Sequence, residues 1–263
     1  IVLRSMEMSS KTFPWVAACD GATSLGRRTT GLFEGTVGRL VEAVFEKDGS
    51  DLRDDMLYFD FDPILEGIPG YAWVFPYQAE IGGTVRYKLG VMDARGRVPG
   101  AELRRSTLAY ARRKGFRLLD AKVAGWPERY FHPDTAGHVP GLVLVGEAYG
   151  IDPLLGEGIA PAMFHAVYTA ARLREALDAG SERIPGFERG FRATAEGKNL
   201  WLHWHLAERI YGKSAHRWLR VLFGMPHLRA LAGSGEEAYG RLLRCVPGLG
   251  WRLALTVASG GLP

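Results

Sequence analysis

"LVLVGEAYGIDPLLGEGIAPAM", residues 142–163, sets an apolar run against a glycine-rich, acidic turn and then a helix-like stretch. A strand that ends in glycine and passes through a loop into a helix start presents free backbone N–H groups and the positive end of a helix dipole. That combination suits an anion or the edge of an electron-rich ring. Gly156 and Gly158 have no Cβ and leave room for close approach, Pro153 stiffens the turn, and the Glu147 carboxylate can accept hydrogen bonds from ligand hydroxyls. The alternative reading of the same stretch is a plain strand–loop–helix connection with glycines at its turns.

Working outward, "GIAPAMFHAVYTAARLREALDAG" (158–180) predicts a helix of about 20 residues that stops near Gly180. Upstream, "KTFPWVAACDGATSLGRRTTGL" (11–32) predicts a buried strand over Trp15–Cys19, a turn at Asp20-Gly21 and a polar, basic segment. "IVLRSMEM" at the start reads as a further strand. Residues 36–95 hold several alternating or β-rich runs separated by turn residues, which predicts an antiparallel sheet. "AELRRSTLAYARRKG" predicts a helix over 101–114 with a glycine stop, and "LLDAKVAGWPERYF" (118–131) an irregular strand. Beyond Gly180 the pattern is helical, interrupted by Gly and Pro, and shows no repeat at a 20–50 residue period.

With 263 residues, 47% of them hydrophobic, the chain can build one large domain or two small ones with an ample core. Cys19 and Cys245 are too few for a disulfide framework and lack metal-ligand spacing, so both are expected as buried thiols in a reducing compartment. No apolar run approaches the ~18 residues of a membrane-spanning helix. The chain starts at Ile1 without an initiator Met or a secretory leader, so a truncated chain is expected. Residues 181–263 carry 12 Lys and Arg against 6 Glu, whereas the formal net charge of the whole chain is +4.

Period-2 spacing in "GYAWVFP" (70–76) places Tyr71, Trp73 and Phe75 on one face of a strand, either lining a ligand or packing on a core. Asp60, Asp62 and Glu66 read as solvated loop carboxylates. His203 and His205 in "HWHL" diverge on a helix, so no shared metal is expected and a helix-surface or interface role is assigned. There is no G-x-S-x-G elbow, P-loop or Cys-x-x-Cys pair. Lys213, Arg217, Arg220 and Arg229 lie among Trp218, Leu222, Phe223 and Trp251. They suit contact with an anionic membrane surface or amphipathic helices closing a substrate pocket; no recognition motif points to nucleic acid.

"LVGEAYGIDPLLGEGIAPAM" resembles the second flavin-binding motif of the FAD-dependent oxidoreductases that include aromatic hydroxylases and geranylgeranyl reductases, and "ACDGATSLGRR" resembles their Asp-Gly motif. "YAWVFP" is similar to the Tyr-x-Trp-x-Phe-Pro signature of the geranylgeranyl reductase family, whose aromatic strand lines an isoprenoid pocket. The resemblance spans roughly residues 10–180. It implies that Asp20 and Gly21 lie near the FAD pyrophosphate and ribityl groups and that Gly146 and Glu147 meet the ribityl and phosphate groups. Pro153, Gly156, Gly158 and Ile159 would pass along the isoalloxazine edge, and Tyr71, Trp73, Phe75 and Pro76 would bind substrate. Glu147 stands where the family carries Asp. The family's strand with its G-x-G-x-x-G turn, which holds the pyrophosphate, has no counterpart in this sequence.

The expected fold is therefore α/β (α+β). Residues 1–33 and 137–180 would form the remainder of a Rossmann-like FAD-binding domain, residues 34–136 an antiparallel-sheet substrate-binding domain, and residues 181–263 a C-terminal helical region. The activity the resemblance implies is reduction of carbon–carbon double bonds in a lipophilic, isoprenoid substrate by FAD, with NAD(P)H or another reductant as electron donor. A flavin-dependent monooxygenase or halogenase of the same fold, and a non-catalytic lipid- or partner-binding module, are the alternatives. The implied partners are the lipophilic substrate and the missing N-terminal segment or a second chain completing the FAD site, in the cytoplasm with peripheral membrane contact.

Overall fold

The computed structural model describes residues 2–4, 10–78, 83–119 and 122–224. In chain order its elements are β1 (Val2–Arg4), β2 (Ser10–Thr12), β3 (Val16–Ala18), α1 (Leu25–Thr30), β4 (Val37–Lys47), β5 (Tyr58–Asp60), α2 (Asp62–Leu65), β6 (Ala72–Gln78), β7 (Val85–Asp93), α3 (Gly100–Arg113), β8 (Phe116–Leu118), β9 (Ala124–Arg129), β10 (His138–Val139), β11 (Leu142–Leu144), α4 (Ile159–Asp178), α5 (Phe187–Ala193), α6 (Ala195–Ile210) and α7 (Ala215–Gly224), with a 3₁₀ turn at Gly146–Ala148. Residues 1–213 form one unit and 214–263 another, of which α7 is the described part. Cys245, Arg229 and Trp251 lie outside the described residues. β1 and β2 pair as a short antiparallel ribbon.

The quoted stretch builds the smaller sheet, of order β10-β11-β3. β11 runs parallel to β3 with Leu142 opposite Val16 and Leu144 opposite Ala18, so Asp20-Gly21 and Gly146-Glu147 emerge at the same end. Leu142, Val143 and Leu144 are all buried, as a parallel strand covered on both faces requires. They share a core with Trp15, Tyr149, Phe187, Phe191 and Leu200. β3 has no partner on its outer edge among the described residues. Cys19, expected as a buried thiol, is exposed, because β3 ends at Ala18 and Cys19 already belongs to the turn.

The larger sheet has the order β5-β6-β7-β4-β8. β4 is long enough to pair with β7 along one edge and with both β9 and β8 along the other, all antiparallel. One face, with Val41, Ala43, Phe45, Val74, Leu89 and Val91, is sealed by Leu103, Tyr110 and Ala111 of α3. Asp60, expected in solvent, instead joins the sheet to the end of that helix. Its carboxylate pairs with Lys114 Nζ at 2.6 Å and accepts from Tyr110 Oη at 3.2 Å.

Candidate functional site

At the carboxyl ends of β3 and β11, where ligands bind in open α/β sheets, the two motifs lie side by side. Gly21 (φ +72°) and Gly146 (φ +61°) both take left-handed backbone, which costs a residue with a Cβ far more than glycine. A Cβ on Gly21 would stand 3.5 Å from Glu147 Oε2, and one on Gly146 would press on Ala162 of α4 at 3.2 Å. Glu147 accepts the Arg129 N–H at 3.3 Å; burial raises its pKa. Asp20 accepts the N–H groups of Leu25 (2.6 Å) and Gly26 (3.1 Å), so its carboxylate caps the start of α1.

Two buried arginines fasten these turns. Arg27 gives its Nη2 to the carbonyls of Ala148 (2.8 Å) and Tyr149 (3.0 Å) and its Nη1 to that of Phe33. Burial lowers its pKa to about 10. Arg129 reaches Ala22 O at 2.8 Å and pairs with Glu34 Oε2 at 2.9 Å. Gly146 N–H is accepted by His165 Nδ1 at 3.1 Å. That bond places the ring proton on Nε2, and burial, which lowers the His165 pKa to about 3, keeps the ring neutral.

The loop that follows is held from three sides. Asp152 accepts the N–H groups of Leu154 (2.8 Å) and Leu155 (3.2 Å), the self-bonding typical of aspartate at turns. Its Oδ1 also receives His203 Nδ1 at 2.9 Å. Tyr71 Oη donates to Leu155 O at 2.5 Å and Tyr211 Oη to Leu154 O at 2.6 Å. Of the helix-surface or interface role expected for His203, the structure shows the second: it is buried beside Asp152, where α6 meets the loop. Burial disfavours its imidazolium, but the hydrogen bond and charge of Asp152, with Glu196 nearby, raise its pKa on balance.

After this loop α4 begins at Gly158 without a side-chain cap. The N–H groups of Gly158, Ile159 and Ala160 have no acceptor among the described residues. These donors at a 20-residue helix's N-terminus suit the electron-rich edge of a flavin ring. Downstream, the outward face of α4 is apolar and bare: Ile159 is 80% exposed, Met163 65%, Phe164 60% and Val167 72%.

On the larger sheet, Tyr71, Trp73 and Phe75 run in file with ring centroids 5.8 and 6.3 Å apart. Trp73 lies over Gly90, where a Cβ would come within 2.1 Å of its ring, and donates to Glu42 Oε2 at 3.2 Å. Phe59 adds a fourth ring, 5.3 Å from Phe75. Pro76 pairs with Tyr87, which packs on the α3 side, so alternation takes Pro76 away from the other three.

The fold thus gathers Gly21, Gly146 and Glu147 at one point and joins Pro153, Gly156 and Gly158 to Tyr71 at another; Asp20 is spent on a helix cap. The sequence carries no site signal for Arg27, Arg129, Tyr211 or Glu128, and reads His203 only as a helix-surface or interface residue. Asp152 before Pro153 carries a turn signal, but Arg27, Arg129, His203 and Tyr211 meet partners far along the chain.

No protein-family model matches the chain, and no curated protein matches it. Among solved structures it is similar to a geranylgeranyl bacteriochlorophyll reductase-like protein from Thermoplasma acidophilum, with a TM-score of 0.61 and 19% identity over 89% of this chain and 62% of that one. It is also similar to a probable FAD-dependent monooxygenase from Pseudomonas aeruginosa, with a TM-score of 0.51 and 19% identity over 85% of this chain and 63% of that one. The chain therefore has the mixed α/β fold of these proteins, antiparallel sheet and helices included, and spans about three-fifths of their length.

Proposed function

We propose that the chain is part of an FAD-dependent oxidoreductase that saturates carbon–carbon double bonds of a lipophilic, isoprenoid-type substrate. The observation that carries this reading is the Tyr71–Leu155 hydrogen bond. It ties the aromatic file of "YAWVFP" directly to the loop of "PLLGEG", 84 residues away, as an enzyme holding an apolar substrate against a flavin edge requires. Residues 1–33 and 137–180 would face the flavin and residues 34–136 the substrate.

Bound FAD, reduced by NAD(P)H or another donor, would supply the hydride equivalent. Gly21, Gly146, Pro153, Gly156, Gly158 and Ile159 would give it close backbone approach, and Glu147 would accept from its hydroxyls. Asp20 would act by shaping the turn. The dipole of α4 would stabilise negative charge at the ring edge. An isolated alkene has no carbonyl to polarise, so orientation must carry much of the rate. Tyr71, Trp73 and Phe75 would supply it by fixing the chain and excluding water.

A cradle for the pyrophosphate would come from a further strand–turn–helix segment, upstream or in a second chain. The outer edge of β3, unpaired among the described residues, and the exposed apolar face of α4 favour it. A lipophilic substrate also favours peripheral membrane contact through the basic segment from Lys213 onward; no described helix is long and apolar enough to cross a membrane. Vesicle sedimentation with anionic lipid checks that contact, which is expected to weaken with salt.

The absorption spectrum of the chain, alone and with the upstream segment restored, tests the reading. Oxidised-flavin bands are expected only in the longer form, together with addition of two hydrogens to each reduced double bond of geranylgeraniol when dithionite supplies the electrons. Oxygen uptake with a hydroxylated or halogenated product would favour a monooxygenase or halogenase. Absence of flavin from both forms would sink the reading and favour a lipid- or partner-binding module.

A further inference from the structure

We propose that Glu128 is the acid that protonates the substrate carbon, at the seam between the Asp152–Gly158 loop and the aromatic file. This inference rests on the reductase reading above. Glu128 lies on β9 opposite Gly38, and its Oε2 is 2.8 Å from where a Cβ on Gly156 would stand. A side chain at 156 would therefore displace it; the glycine makes space for the carboxyl. Tyr130 Oη lies 3.1 Å from Oε2. Oε1 has no hydrogen-bond partner among the described residues.

The neighbouring acids and hydroxyls are committed elsewhere. Both Asp152 oxygens are engaged, by His203 and by the Leu154 and Leu155 N–H groups. Tyr71 and Tyr211 donate their protons to Leu155 and Leu154 carbonyls. Glu147 is turned toward Gly21 and the Arg129 N–H, and Glu157 is exposed.

Several groups bear on the Glu128 charge. Burial is the largest influence and disfavours the carboxylate; the Tyr130 hydroxyl favours it; Glu147, Asp152 and Glu157 repel it. The result is a carboxyl raised to about 7, where it can hold a proton at neutral pH and release it. Tyr71 also faces this group.

The substrate π bond would be replaced by two C–H bonds: bound reduced flavin, itself oxidised, would supply a hydride equivalent to one carbon, and the Glu128 carboxyl would give H⁺ to the other. Glu128 is left as carboxylate and is reprotonated from water.

The test uses the protein with its upstream segment restored, geranylgeraniol as probe and dithionite as reductant. Glu128→Gln is expected to keep the flavin spectrum and lose double-bond reduction by about 10²–10⁴-fold. It should also lose the infrared carbonyl band of a protonated carboxyl that titrates near 7 in the parent, a readout independent of turnover. Tyr130→Phe removes a donor to the carboxylate, so the fall in rate with rising pH should move to higher pH. A Glu128→Gln protein with bound flavin and the parent's rate and pH profile would overturn the proposal and leave Glu128 as a filler beneath Gly156. A parent that binds no flavin, or binds it and reduces no double bond, would instead overturn the reductase reading and this proposal with it.

Discussion

The Asp152–Gly158 loop and helix α4, which follows it without a break, are finished to very different degrees. The loop's carboxylate meets His203 of α6 and the loop's own Leu154 and Leu155 N–H groups, while its Leu154 and Leu155 carbonyls accept from Tyr211, just after α6, and Tyr71, just before β6. The helix presents Ile159, Met163, Phe164 and Val167 outward and exposed, although burying one such side chain is worth about 1.5–3 kcal/mol. One wall of the proposed site is thus closed by contacts within this chain, whereas the other exposes an apolar helix face that the described residues leave open.

Cutting the clamp on the loop is expected to have the largest effect. Asp152→Ala would take a carboxylate from the buried His203 and leave the Leu154 and Leu155 N–H groups without their acceptor, and is expected to cost about 2–4 kcal/mol. Urea unfolding measures it; a loss under about 1 kcal/mol would mean that the loop is held by packing alone. Asp152→Asn, which keeps an acceptor, should cost less.

Acidity tests the same clamp. Glu128 has a folded pKa of about 7, above its ordinary 4.5, so the folded state binds more protons between those values and stability falls as pH rises through that window. His203, also raised, contributes stability that is full below its unfolded value of ~6.5 and lost as pH rises through the folded one. His165, lowered to about 3, acts oppositely, its contribution disappearing as pH falls from ~6.5 toward 3. Glu128→Gln should therefore gain about 1–3 kcal/mol at pH 8 relative to pH 4.5, compared with the parent. Thermal melts at the two pH values decide it, and an unchanged slope would remove Glu128 from the cluster.

A smaller effect is expected at Tyr71→Phe, which leaves the Leu155 carbonyl without its donor at a cost of about 1–1.5 kcal/mol. The same substitution should weaken any coupling between the aromatic file and the loop, seen as a faster-exchanging Gly156 amide. Smallest of all, Phe164→Ser should change the stability of this chain by no more than about 0.5 kcal/mol, as exposed positions do. Restoring the upstream segment sharpens the contrast: if it covers α4, the same change should then cost ~2 kcal/mol or more. Equal costs in both forms would mean that the face stays in water.

Where a feature depends on neighbouring residues, it was legible in the chain. The apolar run ending in Gly146, the turn through Pro153 and the helix that stops before Gly180 follow from periodicity and from glycines that tolerate left-handed backbone. The common face of Tyr71, Trp73 and Phe75 follows from the two-residue repeat of a strand. Pro76 is expected at the substrate only from the resemblance, and the same two-residue repeat turns it to the opposite face, with Tyr87. Cys19 was misread because the strand end falls one residue earlier than its apolar pattern. Glu128 gave no signal, since "WPER" neither alternates cleanly nor shows what lies across from it.

By itself, then, the sequence determined the local pieces: a strand–turn–helix with room for close backbone approach, and an aromatic strand face. Only the tertiary structure decided that Asp152 meets His203 across 51 residues, that Tyr71 closes on Leu155 across 84, and that Arg27 reaches Ala148 across 121. The physical reason is that buried polar groups must find partners or bear the cost of desolvation. Which partners they find depends on how whole elements pack, information that no local pattern of residues contains.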